Sequence, residues 1–339
     1  MTSRERTPTM RDVAVRVGVS VQTISAVVNQ KPGITPETRD RVFAAIEELG
    51  YRPFSVARSL RTRRTHTIAL IVPDIDNPSF SSIASAAENI AHSFGYSLVI
   101  YNTHGSLDRE ASYIRTATER WVDGVLFVVA QDQMSGLDSL QAAGIPYVAI
   151  DRIPQGYEGP SVTLDNVKAG VIATEHLISL GHRQVAHLSG PLSLRLGRER
   201  QEGFQKVLQA QGLERGLVVN STGWSCEEGY QAMKVLLLND PIPTAVFAAS
   251  DRIAIGAMQA AYEAGLSIPG HISIVGLDDI EVAAYQIPPL TTVRQSFPQL
   301  ATLGMNTLLA ILKGDGLDQR QIILEPTLVL RESTAPLRD

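Results

Sequence analysis

The sequence predicts two unlike parts. One is a small all-α head containing a helix-turn-helix. The other is a larger α/β body of two lobes, each on a parallel doubly wound sheet. Three observations carry this. Apolar residues recur at helical spacing over residues 10–49, broken by glycine at 18 and 50. From Thr67 onward, nearly continuous apolar strand segments alternate with amphipathic helical segments. That alternation marks parallel sheets covered on both faces. Finally, residues 1–66 carry a net charge of +6 while the remainder carries −11. A basic head on an acidic body points to a local polyanion-binding module, because the body would repel a polyanion such as DNA.

At 339 residues the chain exceeds one ordinary domain and can bury a substantial core. It contains no run of about eighteen apolar residues, so no membrane-spanning helix is expected. The stretch MTSRERTPTMRD lacks the apolar segment of a secretory signal. The single cysteine, Cys226, makes no internal disulfide and no cysteine-based metal site, which fits a reducing cytoplasm.

In the head, Thr9 and Asp12 are placed to form a capping box ahead of a helix over about Met10–Val17, with Val13 and Val17 facing inward. Gly18 ends it, and Ser20 caps a second helix whose buried stripe is Ile24, Val27 and Val28. Val21, Gln22, Ser25, Ala26 and Asn29 fall on its opposite face. A third helix, capped by Thr35, runs from about Pro36 to Leu49 with Val42, Phe43, Ile46 and Leu49 as expected core. Two short helices joined at a glycine turn form a helix-turn-helix, whose second helix enters the DNA major groove.

The run DVAVRVGVSVQTISAVVN, followed by ITPETRDRVFAAIEELGYRP, resembles the lactose-repressor (LacI/GalR) family of bacterial transcription regulators. Its head pattern, D-V-A-x-x-A-G-V-S-x-x-T-V-S-x-V-x-N, is met nearly throughout, with Val17 in place of the usual alanine. The resemblance implies that Val21, Gln22 and Ala26 occupy base-reading positions. Gln22 can pair with adenine and Val21 can meet a thymine methyl, whereas Ala26 offers only a methyl. Thr23, Ser25 and Asn29 would contact phosphates and set register.

Residues 51–66 (YRPFSVARSLRTRRTH) form a basic hinge with five arginines and no acid. The family hinge pattern Y-x-P-N-x-x-A-R-x-L is matched by Tyr51, Pro53, Ala57, Arg58 and Leu60. It implies a hinge helix that forms on DNA and pairs with the partner subunit's hinge. It also implies that Leu60 wedges into the minor groove; the plainer reading is that Leu60 packs hinge against hinge, and both can hold at once. Phe54 replaces the usual short polar cap, which costs the hinge helix about 1 kcal/mol.

In the body, strands are expected at Thr67–Val72, Ser97–Tyr101, Gly124–Val129, Tyr147–Ile150, Gln184–Leu188, Leu217–Asn220, Ala245–Ala248 and Ile272–Val275. Phrases such as IALIVPDIDNPSF, VAIDR, VFAASDRIAIGAMQAAYEAGL and ISIVGLDDIEVAAYQIPPLTTVRQ extend the family resemblance over almost the whole chain. The resemblance implies a periplasmic-binding-protein-like fold with three crossings between lobes. The expected domains are residues 1–50 (head), 51–66 (hinge) and 67–339 (effector binding and dimerisation). Lobe 1 takes about 67–164 with 293–324, and lobe 2 about 165–292 with 325–339.

Ligands of doubly wound folds bind in the crevice beyond the strand carboxyl ends. Candidate effector residues there, aligned to the family's cleft, are Asp74, Asn77, Phe80, Asp151, Arg200, Trp224, Asp278 and Gln295. Phe80 and Trp224 can flank a sugar ring or a flat ligand, and Arg200 and Asp278 can make paired hydrogen bonds to hydroxyls. Phe80 reads equally as core at a helix start. Asp251 reads as a helix N-cap, and Leu194 and Leu196 suggest an apolar wall.

No catalytic or metal-binding motif is present, so neither an enzyme nor a cofactor is expected. The expected protein is a homodimeric operator-binding regulator, most simply a repressor. It would be controlled by a small sugar-like metabolite, with a nucleobase corepressor as the alternative ligand. Nothing resembling a leucine-heptad tail follows RESTAP, which predicts a dimer rather than a tail-made tetramer. A periplasmic sugar-binding protein would not carry the basic head, and a sugar-processing enzyme would need a base or nucleophile that is not apparent.

Overall fold

The computed structural model describes residues 8–28, 31–51, 64–119, 122–133, 136–213, 216–317 and 319–337. The expectations for Asn29, Pro53, Phe54, Ala57, Arg58 and Leu60 fall outside them. The chain divides into two units, residues 1–65 and 66–339.

In the first unit, α1 (Met10–Val17) starts where Thr9 N–H donates to the Asp12 carboxylate at 2.7 Å. It stops at Gly18, whose φ of 77° lies in the left-handed region that favours glycine. Ser20 Oγ accepts from Thr23 N–H at 3.1 Å and opens α2 (Val21–Val28). Thr35 Oγ1 accepts from Thr38 N–H at 3.3 Å and opens α3 (Pro36–Leu49), with Pro36 in its first turn.

The core between them is Val13, Ala14, Val17, Ile24, Val27, Val42, Ala45 and Tyr51. Phe43 is not part of it: its side chain is 46% exposed, and Ala45 takes the core position. Val42, Ala45, Ile46 and Leu49 fall at helical spacing on one stripe, and Phe43 sits about 100° round from it. Arg41 donates to the Val17 carbonyl at 2.6 Å, and Arg16 pairs with Glu48 at 2.8 Å.

The second unit holds two six-stranded sheets. In chain order its first half comprises β1 (Thr67–Val72), α4 (Pro78–Ser93), β2 (Ser97–Asn102), α5 (Leu107–Glu119), β3 (Gly124–Phe127), α6 (Leu137–Ala142), β4 (Tyr147–Ile150) and β5 (Ser161–Leu164). Then follow α7 (Asn166–Ser179), β6 (Val185–Ser189), α8 (Arg195–Ala210), β7 (Leu217–Asn220), α9 (Cys226–Leu236), β8 (Ala245–Ala248), α10 (Asp251–Glu263) and β9 (Ser273–Asp278). The chain closes with β10 (Thr291–Arg294), α11 (Phe297–Lys313), β11 (Gln321–Leu324) and β12 (Thr327–Val329).

The first sheet runs β11-β5-β4-β3-β1-β2 and is parallel throughout. The second runs β12-β10-β9-β8-β6-β7, parallel except that β12 lies antiparallel at the edge. Apolar clusters cover both faces of each sheet, as their near-continuous apolar strands require.

The chain passes between sheets after β5, after β10 and after β11. Because β10 stays in the second sheet to Arg294, the middle crossing begins at Gln295. β9 continues to Asp278, beyond the expected end at Val275, since the apolar run persists through Leu277. Asp251 is not a helix cap. Ser250 caps α10, and the Asp251 carboxylate accepts from Ile280 N–H at 2.9 Å and Thr292 Oγ1–H at 2.5 Å. Among the described residues, no helix is long and apolar enough to cross a membrane.

Candidate effector cleft and recognition helix

In the first unit, packing Ile24 and Val27 inward turns Val21 and Gln22 outward on α2, with Ser25 and Ala26 partly exposed beside them. Thr23 lies against the cap, its hydroxyl 2.9 Å from Ser20 Oγ. An open polar-and-methyl face on the second helix of a helix-turn-helix has the chemistry for groove contact.

In the second unit, six of the eight candidate cleft residues line one cavity: Asn77, Phe80, Asp151, Arg200, Trp224 and Asp278. First-sheet elements supply three of them. Asn77 caps α4, its Oδ1 accepting from Ser79 N–H at 3.1 Å. Phe80, one turn further on, is 2% exposed and serves both as cavity wall and as core of the first lobe. Asp151 follows β4 with φ 62°, a left-handed backbone uncommon for non-glycine residues, which aims its carboxylate along the cleft.

Second-sheet elements supply the rest. Arg200 rises from α8, held close to α7 because Gly170 and Gly203 leave no side chain between the two backbones. A Cβ on Gly170 would run into the Arg200 carbonyl. Each nitrogen of the Arg200 guanidinium donates one bond: Nε to Asn166 Oδ1 at 2.9 Å, Nη1 to the Ala249 carbonyl at 2.7 Å, and Nη2 to Gln295 Oε1 at 3.4 Å. Asp278 Oδ1 lies 3.8 Å from it. Burial pushes the Asp278 carboxyl well above the usual carboxylate range, against the pull of Arg200.

Gln295 is buried and lies outside this cavity, but it joins the two sides. Its amide nitrogen donates to Asp151 Oδ1 at 2.6 Å while its oxygen accepts from Arg200. Asp74 also lies outside the cavity and pairs with Arg252 across the lobes at 3.3 Å. A second interlobe pair joins Asp132 and Arg198 at 2.8 Å.

Sequence reasoning missed Arg152, Ser79, Ser250 and Phe297, which also line the cavity; Leu196 does so as expected of an apolar wall, whereas Leu194 does not. Arg152 is the consequential omission. Its guanidinium lies 5.2 Å from the Phe80 ring centre and 5.9 Å from that of Trp224. It thus occupies the slot expected for a flat ligand. Arg200 lies 5.4 Å from the same tryptophan.

Burial lowers the pKa of Arg152, partly offset by Asp151, whose Oδ2 is 4.0 Å from Nε. Arg152 Nε has no hydrogen-bond acceptor, and neither do Trp224 Nε1 and Ser79 Oγ. A buried donor left unpaired costs on the order of 1–3 kcal/mol. The free volume of this cavity is about 20 Å³, room for about one water. A neighbouring cavity of about 260 Å³ shares Asp151, Arg152 and Leu196 with it, so Arg152 forms a wall between the two. The adjacency of Asp151 and an arginine at a strand end was the available signal.

Residues 9–53 match the family model for bacterial regulatory proteins of the lacI family, and residues 174–334 match that for a periplasmic binding protein-like domain. The chain is 36% identical to the ribose operon repressor of Halalkalibacterium halodurans over 96% of its own length and 97% of the relative's. It belongs to the lacI family. This lacI-family protein is also 36% identical to the HTH-type transcriptional repressor PurR of Erwinia tasmaniensis, covering 98% of each chain. Among solved structures it is similar to the lac repressor dimer bound to operator and the anti-inducer ONPF. The TM-score is 0.88 at 30% identity, over 97% of this chain and 100% of that one. It is therefore a sequence-specific DNA-binding repressor under the control of a small effector, and not an enzyme. Among the described residues no acidic, histidine or cysteine group is arranged to hold a metal ion.

Proposed function

We propose that this lacI-family repressor works as a cytoplasmic homodimer whose effector is a ring-shaped metabolite, a sugar or sugar derivative, held between the lobes. The observation that carries this reading is the chain Asp151–Gln295–Arg200. It joins the carboxyl-end loops of both sheets beside the cavity that Phe80 and Trp224 line. Asn77, Phe80, Asp151, Arg200, Trp224 and Asp278 contact the ligand, while Asp74 and Gln295 report its presence to the opposite lobe. A ligand that favours one spacing of the lobes shifts the population of DNA-binding hinges by its differential affinity, and by no more than that.

On DNA, Val21, Gln22 and Ala26 meet base edges, and Thr23, Ser25, Asn29 and Arg58 hold the backbone. Leu60 enters the minor groove. Exposed apolar side chains on each lobe support the dimer: Val99 and Ile100 on edge strand β2, and Leu238, Tyr285 and Ile287 in the second lobe. Equilibrium sedimentation checks it, and a tetramer or a monomer at micromolar concentration refutes it. A nucleobase is the second reading, since two aromatic rings stack on a base as readily as on a sugar.

Selection of operators from a random DNA pool, followed by a challenge with sugars and nucleobases, tests the whole. At least one compound should change operator affinity by about tenfold or more, as is typical of allosteric coupling. Binding that is independent of sequence, or of every compound and of Arg200→Ala, refutes the reading.

A further inference from the structure

The cleft holds two buried arginines, and only one of them is satisfied. Arg200 donates to three protein acceptors and stands beside Asp278. Arg152 is 7% exposed, its nearest carboxylate contact is 4.0 Å, and its Nε has no acceptor. Two other donors on the wall of the same cavity are equally unpaired: the Trp224 indole N–H and the Ser79 hydroxyl, the latter on a residue 4% exposed. These three lie on different elements, and what they lack in common is an acceptor. A neutral sugar hydroxyl brings a donor with every acceptor, while a carboxylate or phosphate is acceptor-only and presents several oxygens at once. The carboxylate nearest Arg152 is that of Asp151, whose Oδ2 faces Arg152 beyond hydrogen-bond distance and whose Oδ1 is already held by Gln295 at 2.6 Å.

We propose that the effector carries an oxyanion, a carboxylate or a phosphate, which Arg152 binds together with Trp224 Nε1 and Ser79 Oγ. The inference rests on the effector-cleft reading above and narrows its ligand class. Arg152 moves to do this. It now lies against both aromatic rings, and it also walls the neighbouring cavity of about 260 Å³. Turning toward that cavity opens the slot between Phe80 and Trp224 to the ligand's ring while the guanidinium keeps hold of the anion. Arg152 is thus the side chain that stands in for the ligand before it arrives.

Calorimetric titration of the full-length protein with matched probes tests this. The pairs are ribose against ribose 5-phosphate and glucose against gluconate, with inorganic phosphate alone as a fifth probe. In at least one pair the anionic member should bind about tenfold or more tightly than its neutral partner, the gain of a charge-assisted hydrogen bond. Arg152→Gln should abolish that preference, and Arg152→Lys should retain part of it. Without ligand, Arg152→Gln should raise the melting temperature by a few degrees, because it removes a buried charge whose nearest carboxylate is 4.0 Å away and whose Nε has no acceptor. A merely structural arginine would lower it.

Neutral partners binding as well as anionic ones overturn the oxyanion and leave the effector cleft standing. A preference that survives Arg152→Gln places the anion elsewhere and also overturns the proposal. If no probe binds, the proposal falls too. The operator challenge with sugars and nucleobases, which scores any ligand regardless of charge, then decides separately whether the cleft reading falls with it.

Discussion

The two sides of the cleft are built on opposite terms. On the second-lobe side, Arg200, Asn166, Gln295 and Asp278 form a connected network, with Asn166 and Arg200 set on helices whose backbones touch. On the first-lobe side, Arg152 leans on aromatic rings and its Nε has no acceptor. One side is preorganised and the other is uncommitted. A satisfied network resists rearrangement, because breaking any member strands the others. An unsatisfied side chain moves at little enthalpic loss. On the proposed effector-cleft reading, the asymmetry assigns holding to one lobe and responding to the other.

Arg200→Ala should break the comparison most severely. It strands Asn166, Asp278 and Gln295 in a buried site and should destabilise the body by about 3–5 kcal/mol, read by urea unfolding. Ligand response should be lost along with it. A loss below about 1 kcal/mol would mean that the network is not preorganised in solution.

Glu110 sharpens the comparison from outside the cleft, because it too is a buried charge with a single close partner. Its carboxylate accepts from Ala130 N–H at 2.7 Å, and burial raises its pKa to about 7. The folded state therefore holds this proton more tightly than the unfolded chain does. The stabilising contribution is fully present below the unfolded value near 4.5 and is lost as pH rises through about 7. Glu110→Gln should thus stabilise the protein by about 1–3 kcal/mol at pH 8 and have little effect at pH 4. Equal melting shifts at both pH values would contradict it.

Gln295→Ala should cost about 1–2 kcal/mol through two lost side-chain bonds. Its larger mark should be on communication, with ligand still binding but changing operator affinity less. Arg252→Ala removes a partly exposed interlobe pair and should change stability by less than about 1 kcal/mol, an effect that disappears at high salt.

Most of the architecture was legible from periodicity, because parallel strands buried on both faces read as plain apolar runs. The strands that escaped were β5, β10, β11 and β12, each of three or four residues. The equally short β4 and β8 were legible because they are almost wholly apolar, whereas β5 (SVTL) and β10 (TTVR) are half polar, and β11 and β12 lie at sheet edges with partly exposed residues. Phe43 was misplaced because apolarity alone does not say which side of a helix stripe a residue occupies.

In the cleft, residues at strand ends and helix starts were readable from position, and their shared cavity follows from the fold. Arg152 was readable only through its place beside Asp151 at a strand end, and its burial was not. An arginine after a strand is ordinarily solvated, and only the packing of the second lobe against it reveals the burial. Gln295 appeared as a rim residue, and its role between lobes depends on two partners about 95 and 144 residues away in sequence.

The glycine crossing of α7 and α8 has one more consequence. With no side chain between the backbones, Arg200 sits at a height fixed by main-chain contact rather than by a rotamer. That makes it a datum from which the rest of the cleft is measured. If the proposed effector cleft holds, ligand preference can then drift through Arg152, Trp224 or Leu196 without moving the reference. A methyl group added at Gly170 or Gly203, neither of which lines the cavity, would tilt the reference itself and be felt at every ligand atom at once.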